Sequence, residues 1–406
     1  MQKRSAGFVA GFVLAVGALI LFVGGGARFA IGLTLKSIQA ELATGRGLIG
    51  LAVALFQVVS ALAMFWSGRL ADRMSPALVL SLGVAVSAIG IGAMCLVSAP
   101  WHILVLYGFV FAIGNGIASV IPVAVLVTRY FPERPGLANA LALAGLGLGQ
   151  LVMMGTLALV LGDIGWRAVF AWLGLAHVLI LPFVIVVLGR VARRSAQAAQ
   201  SRAVTAPVEG MTIREAARTR RFWLLLAVFA LCGFEDFFVS THVVAFAQDR
   251  GADIVFAGNL LAVMGAAAIV GVLVSGAVSD RAGPVAATFV CFALRALIFA
   301  AVLLDQTVAT VAAFAVLFGL TFLMTAPLVV IFVRDAFGAR HLGALTGFIT
   351  MVHHIFGGLG ALVGAWIFDV EGAYQSVLWL MLASSVAGAL LSLALRRSGG
   401  RAHAQA

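Results

Sequence analysis

Apolar runs of about twenty residues, each ended by a charged or Gly/Pro-containing stretch, recur along the whole chain, and that is the length one helix needs to cross a bilayer. A transmembrane barrel writes a different pattern, segments of about ten residues alternating polar and apolar, and the sequence has none. The chain is therefore read as an all-α integral membrane protein. Composition agrees: 63% of the 406 residues are hydrophobic and 10% charged, against about 25% charged in soluble domains. A water-soluble globule is excluded.

The apolar runs place spans at 9–35, 48–68, 77–98, 102–128, 137–161 and 167–188, then at 222–247, 256–278, 285–304, 308–333, 342–368 and 373–395. Lys3 and Arg4 ahead of an apolar stretch imitate a secretory leader. That run stays apolar to Thr34 and eleven more spans follow, so it is read as the first span. Residues 1–188 form an N-terminal six-helix bundle and 222–406 a C-terminal one with a cytoplasmic tail. The stretch 189–221, rich in Arg, Ala, Gln and Ser, is too polar to cross and reads as a cytoplasmic linker.

Basic residues accumulate on the cytoplasmic side of membrane proteins. With Lys3 and Arg4 inside, twenty basic residues fall on that side and four, Lys36, Arg46, Arg167 and Arg250, on the other; Arg28 and Arg295 lie within spans. Both termini are expected in the cytoplasm, and the cell inner membrane is the expected location. The same asymmetry explains the net charge of +11 without a nucleic-acid partner, which would need one accessible basic patch. Cys95, Cys232 and Cys291 sit in apolar runs without metal or redox spacing and read as small core residues. HExxH, GxSxG and GxxxxGK[ST] are absent. No cofactor, metal or enzymatic role is expected.

The chain repeats itself. GRLADRMSP from Gly68 to Pro76 follows the second span, and GAVSDRAGP from Gly276 to Pro284 follows the eighth, with Asp72/Arg73 and Asp280/Arg281 in register. PVAVLVTRYF from Pro122 answers PLVVIFVRDAF from Pro327, each with an Arg seven residues on, Arg129 and Arg334. Two matches at nearly the same offset indicate duplication, and parallel repeats are one architecture of secondary transporters. Gly68 and Gly276 would permit close helix approach, and the Asp/Arg pairs could latch one conformer. The loop resembles the signature of the major facilitator superfamily. That resemblance implies twelve transmembrane helices in two six-helix pseudo-symmetric bundles, with a substrate site between the halves at mid-depth.

Within that superfamily, RYFPERPGLANALALAGLGLGQ from Arg129 to Gln150 resembles the fifth-span entry of monocarboxylate-transporter-like members, Arg134 included, and Gly145 and Gly149 form a GxxxG packing motif. GFEDFFVSTHVVAFAQDRG and HHIFGGLGALVGAWIFD resemble the seventh and eleventh spans of its prokaryotic relatives. The sequence departs from the family pattern in the eighth span. Where many members carry an Arg, and animal members an acid, this chain has Val272 and Ala268.

Charges in a bilayer face a cavity or a partner. Arg28 follows Gly24, Gly25 and Gly26, which either unwind around a ligand or pack closely, and is a candidate substrate ligand. Glu235 and Asp236 in the seventh span are candidate proton sites; they project about 100° apart, so one is expected to face the cavity. His242, seven residues on, shares the Glu235 face and is expected to assist. The alternative for the acids is a buried ion pair with Arg295. His353 and His354 in the eleventh span, with Tyr107 and Asn115 in the fourth, complete the candidate substrate groups, although His, Tyr and Asn also serve as interhelical glue. The expected function is secondary transport of a small organic anion, a monocarboxylate in the first instance, by alternating access coupled to protons, with the protein acting as a monomer. An exporter of amphipathic compounds and an anion exchanger are the alternatives.

Overall fold

A computed structural model describes residues 2–131, 135–198, 210–338 and 340–399, with the backbone alone at 2–8, 68–69, 71–73, 76, 129, 135–137, 140, 190–198 and 397–399. The helices are α1 (Gln2–Ala27), α2 (Ala30–Leu33), α3 (Leu35–Leu42), α4 (Arg46–Arg73), α5 (Pro76–Ala93), α6 (Pro100–Val105), α7 (Ala112–Ile117), α8 (Val120–Tyr130) and α9 (Pro135–Ala198). They continue with α10 (Ile213–Ala216), α11 (Arg220–Asp249), α12 (Ile254–Ala282), α13 (Pro284–Leu304), α14 (Val308–Phe322), α15 (Ala326–Phe337), α16 (Leu342–Glu371) and α17 (Gln375–Gly399). Among the described residues β structure is limited to an isolated bridge, Gly210 to Gly338.

Eleven described stretches are long and apolar enough to cross a membrane. One of them, Leu141–Gly189, has 49 residues, about twice what a crossing needs. It lies in α9, whose 64 residues would run to ~96 Å at 1.5 Å per residue. Gly165, at φ 73° and ψ 164°, breaks it into two helices, because that backbone conformation is open chiefly to glycine. The fifth and sixth expected spans are those two helices.

Three expected spans are broken helices. The first ends at Ala27 and resumes at Ala30, with Arg28 and Phe29 at the break. The fourth passes through a π-helical segment, Leu106–Phe111, and breaks at Ala118–Ser119 before α8. The tenth breaks between α14 and α15. Pro122 and Pro327, the prolines of the internal repeat, lie in the first turns of α8 and α15. A proline lacks an N–H and clashes with the carbonyl four residues back, so both copies interrupt their span at the matching place. Elsewhere helix starts are fixed by side chains that accept a first-turn N–H: Thr219 from Phe222, Asp253 from Phe256 and Thr307 from Thr310.

The chain folds into two compact units, Met1–Thr44 with Leu55–Thr205, and Gly45–Ala54 with Ala206–Ala406. The first has a core of Val13, Val16, Ile20, Leu80, Val84, Val127 and Val184. Gly145 and Gly149 of α9 face α1: a Cβ there would lie 2.3 Å from the Ala18 carbonyl oxygen and 2.0 Å from that of Phe22. A Cβ at Gly25 would lie 2.7 Å from Leu146 and one at Gly26 2.5 Å from Met153, so these glycines serve packing and the helix break falls after them. The second unit has a core of Leu225, Val228, Phe229, Phe292, Phe332, Val333 and Ile349. Large apolar side chains such as Leu179, Leu273, Leu297 and Leu304 are more than two-thirds exposed, a surface suited to lipid.

Candidate functional site

The second unit holds a cluster of charges with almost no exposure. Its acids come from α11, where Cys232 and Asp236 stand one turn apart and share a face while Glu235 is offset. A Cβ at Gly233 would lie 1.9 Å from the His353 carbonyl oxygen, and one at Gly360 1.9 Å from that of Phe234. These glycines bring α11 and α16 into backbone contact and set His353 beside Asp236. From α13 comes Arg295, fully buried.

The Arg295 guanidinium has five N–H donors in a planar fork, and five oxygens surround it. Nε donates to Thr321 Oγ1 at 2.9 Å. Nη1 donates to Glu235 Oε2 at 3.3 Å and to the Cys232 carbonyl at 3.4 Å, and Nη2 to Asp236 Oδ1 at 2.5 Å and the Thr321 carbonyl at 3.1 Å. The Phe318 ring lies 4.7 Å from the guanidinium carbon. Both acids therefore reach one cation, whereas the 100° offset led us to expect one carboxylate turned away; side-chain length overcomes the difference in direction. His353 Nε2 is 3.7 Å from Asp236 Oδ2, and its Nδ1 meets the Phe229 carbonyl at 3.1 Å. Ser384 and Ser385 of α17 lie near Glu235, and among the described residues neither their hydroxyls nor its Oε1 makes a hydrogen bond. His354 stacks obliquely on Phe237, ring centroids 5.4 Å apart.

His242 is not part of this cluster. Its Nε2 meets the Ala361 carbonyl and its Nδ1 the Tyr374 hydroxyl, both at 2.9 Å. Seven residues along a helix is ~10 Å of rise, and α16 supplies His242 with partners of its own. Beyond Tyr374 lies Arg46, 2% exposed, which donates to the Tyr374 hydroxyl at 2.5 Å and to both Asp249 oxygens at 2.9 and 2.7 Å. Asp369 accepts from the first N–H groups of α4, Arg46 and Gly47, at 2.7 and 2.6 Å, a carboxylate placed where a helix start favours one. Sequence reading counted Arg46 as a loop cation and missed this network. It likewise missed Thr321, which no motif marks.

In the first unit Arg28 occupies the helix break, half-buried, with its guanidinium 4.6 Å from the Phe29 ring centroid. The Tyr107 hydroxyl donates to the Arg28 carbonyl at 2.6 Å, and the Asn115 amide to the Gly24 carbonyl at 3.1 Å. Both polar groups are thus engaged by backbone carbonyls of the broken helix. Each loop motif forms the last turn of a helix, α4 or α12, and Asp280 and Arg281 stand exposed there. A Cβ at Gly276 would meet open space, so the close approach expected at that glycine is not made. Arg334 is exposed and pairs with its neighbour Asp335 at 3.1 Å. The side chains of Gly68, Asp72, Arg73 and Arg129, and all of Arg134, lie outside the described residues.

Known proteins resemble the chain in sequence and in shape. It matches the Major Facilitator Superfamily over residues 17–304 and 236–405. It is 25% identical over 241 residues to the oxalate:formate antiporter of Oxalobacter formigenes, covering 59% of this chain and 56% of that one. With monocarboxylate transporter 13 of Rattus norvegicus it shares 25% over 309 residues, 76% of this chain and 70% of that one. A crystal structure of a bacterial homolog to the human lysosomal transporter Spinster, inward-facing and unoccupied, superposes with a TM-score of 0.74 at 16% identity, covering 97% of this chain and 98% of that one. Broken helices, a twofold sequence repeat and a match along nearly its whole length make this chain a multi-pass membrane transporter, not an enzyme, and it belongs to the major facilitator superfamily.

Proposed function

We propose that this transporter moves a small organic anion, a monocarboxylate in the first instance, by alternating access coupled to protons. Arg28 supports the anion: a guanidinium cannot be deprotonated in a protein, and a permanent cation half-buried at a helix break is stabilised by a carboxylate. Tyr107 and Asn115 hold the carbonyls of that break and so set where the guanidinium stands. His353 and His354 remain substrate candidates in the second unit.

One observation carries the coupling. Two buried carboxylates, Glu235 and Asp236, share the single guanidinium of Arg295, and an uncompensated buried charge is costly. The cluster is neutral only when it holds a further proton, on a carboxyl or on His353. Releasing that proton on one side and regaining it on the other ties the anion's movement to a pH gradient. Membrane insertion with both termini in the cytoplasm accords with the distribution of Lys and Arg.

Paired variants in proteoliposomes test both parts. Arg28→Ala is expected to abolish anion binding. Glu235→Gln keeps an oxygen to accept from Arg295 and is expected to leave exchange intact while removing accumulation driven by an inside-alkaline gradient. Wild-type exchange in the first variant, or undiminished gradient-driven accumulation in the second, would contradict the reading. A second reading, obligate exchange of two anions, is favoured by the similarity to an oxalate:formate antiporter. Uptake that requires anion preloaded inside and ignores the gradient would establish it instead.

A further inference from the structure

The thiol of Cys232, the Asp236 carboxylate oxygen to which that thiol donates and Nε2 of His353 converge on one point. All three ligand atoms lie within 4.8 Å of one another, with Cys232 Sγ 3.4 Å from Asp236 Oδ2 and that oxygen 3.7 Å from His353 Nε2. In a tetrahedral zinc site the bonds are about 2.3 Å to sulfur and about 2.0–2.1 Å to nitrogen or oxygen, which puts neighbouring ligand atoms roughly 3.3–3.5 Å apart. Two of the three edges, sulfur to oxygen and oxygen to nitrogen, match such a tetrahedron to within a few tenths of an ångström, and the third, sulfur to nitrogen, lies within 4.8 Å.

His353 supplies a second observation. Its Nδ1 faces the Phe229 carbonyl at 3.1 Å, an acceptor, so Nδ1 carries a hydrogen. In the neutral ring Nε2 is then the lone-pair nitrogen, and it points at a carboxylate oxygen, a second acceptor. Such a pair of acceptors takes a cation, either the proton of the coupling reading or a metal ion in its place. An N–H given to a backbone carbonyl is also the outer contact that fixes most metal-bound histidines. Asp236 is held in turn by Arg295 through its other oxygen, and Thr325 Oγ1 lies 3.2 Å from the sulfur. The Arg295 Nη1, 3.6 Å from Cys232 Sγ, opposes an added cation. Its charge is already matched by Glu235, so a divalent ion on a Cys232 thiolate and an Asp236 carboxylate leaves the cluster neutral. Cys232 and Asp236 are buried while the His353 side chain is 17% exposed, which gives an ion a way in.

The geometry points to a site for a thiophilic divalent cation of the zinc class at Cys232, Asp236 and His353. Three protein ligands leave a fourth position for water or Thr325. Binding converts the Cys232 S–H to a metal–sulfur bond and displaces the further proton of the neutral cluster, so that two protons leave for solvent as one divalent ion enters. The site is in the cluster to which proton coupling is assigned, and the inference rests on that reading for its place in the mechanism alone, since binding is read without transport.

The purified, chelator-stripped protein is titrated with Co²⁺ and, separately, with Zn²⁺ by equilibrium dialysis. The expected result is one ion per chain, a near-ultraviolet thiolate-to-cobalt charge-transfer band in the wild type, and no such binding of Mg²⁺. Cys232→Ser and His353→Gln should each weaken binding by at least the roughly 10- to 100-fold that an outer-contact change alone costs. Cys291→Ala, a buried thiol outside the triad, should leave it unchanged. Absence of the thiolate band in the wild type overturns the inference whether or not the variants fold. So does binding that survives both ligand variants. Wild-type uptake that ignores the pH gradient, with metal binding intact, would count against the proton reading and leave this site standing.

Discussion

Arg295 places each of its five donors on an oxygen, and two of those oxygens belong to acids that, among the described residues, have no other cation as close. Removing the guanidinium while leaving the carboxylates strands buried charge, which costs about 3–5 kcal/mol for a buried pair. Arg295→Ala should therefore lower the stability of the detergent-purified protein by that order, read as a fall in the thermal midpoint. Replacing Glu235, Asp236 and Arg295 together with apolar residues of similar volume should recover most of the stability, since such swaps are often neutral or better, while gradient-driven uptake stays lost. Recovery of uptake with stability would mean the cluster is a brace and nothing more. That Arg295 pairs with α11 could be anticipated from sequence, because intramembrane charges of opposite sign need one another. That both acids share it could not, and neither could Thr321, whose hydroxyl and carbonyl meet the guanidinium through the bend between α14 and α15.

Elements meet through glycines, and the structure separates those that touch from those that do not. A methyl group at Gly149 would strike the Phe22 carbonyl oxygen at 2.0 Å, and neither backbone can yield without moving α1 or α9. Gly149→Ala should destabilise by about 1–3 kcal/mol, the usual cost of overpacking. At Gly276 there is open space, and alanine in a helix interior gains about 0.5–1 kcal/mol over glycine. Gly276→Ala should leave the thermal midpoint level or slightly raised. The GxxxG spacing in α9 was legible in sequence, whereas the repeat motif made Gly276 look like a contact of the same kind when it lies on the exposed last turns of α12. Breaks are similar. Pro122 and Pro327 stand at two of them, although the expected spans run straight through both, and the break at Arg28–Phe29 carries no proline at all. Tyr107 supports that break through the Arg28 carbonyl. Tyr107→Phe should cost about 1–3 kcal/mol, the penalty of an orphaned buried acceptor, and should raise the half-saturating anion concentration more than it lowers maximal uptake.

Over the whole molecule, the apolar runs and the asymmetry of Lys and Arg were enough to read an all-helical membrane protein from sequence, because each is a consequence of the bilayer as solvent, while the internal repeat, a mark of duplication, and the loop it carries pointed to a transporter. The network of Arg46, Asp249, Asp369, Tyr374 and His242 was hidden because its members are up to 328 residues apart: the first four, taken singly, are ordinary loop or helix-end residues, and His242 was read with Glu235 instead. The central claim is that neutralisation of a buried acidic cluster by a proton accompanies movement of a small anion. It is tested most directly by uptake of radiolabelled monocarboxylates and dicarboxylates into proteoliposomes holding the purified protein, with and without an inside-alkaline gradient. The account predicts accumulation of at least one of these acids that rises with the gradient and collapses when a protonophore dissipates it. Uptake indifferent to the gradient, or no uptake of any acid by folded protein, would contradict it.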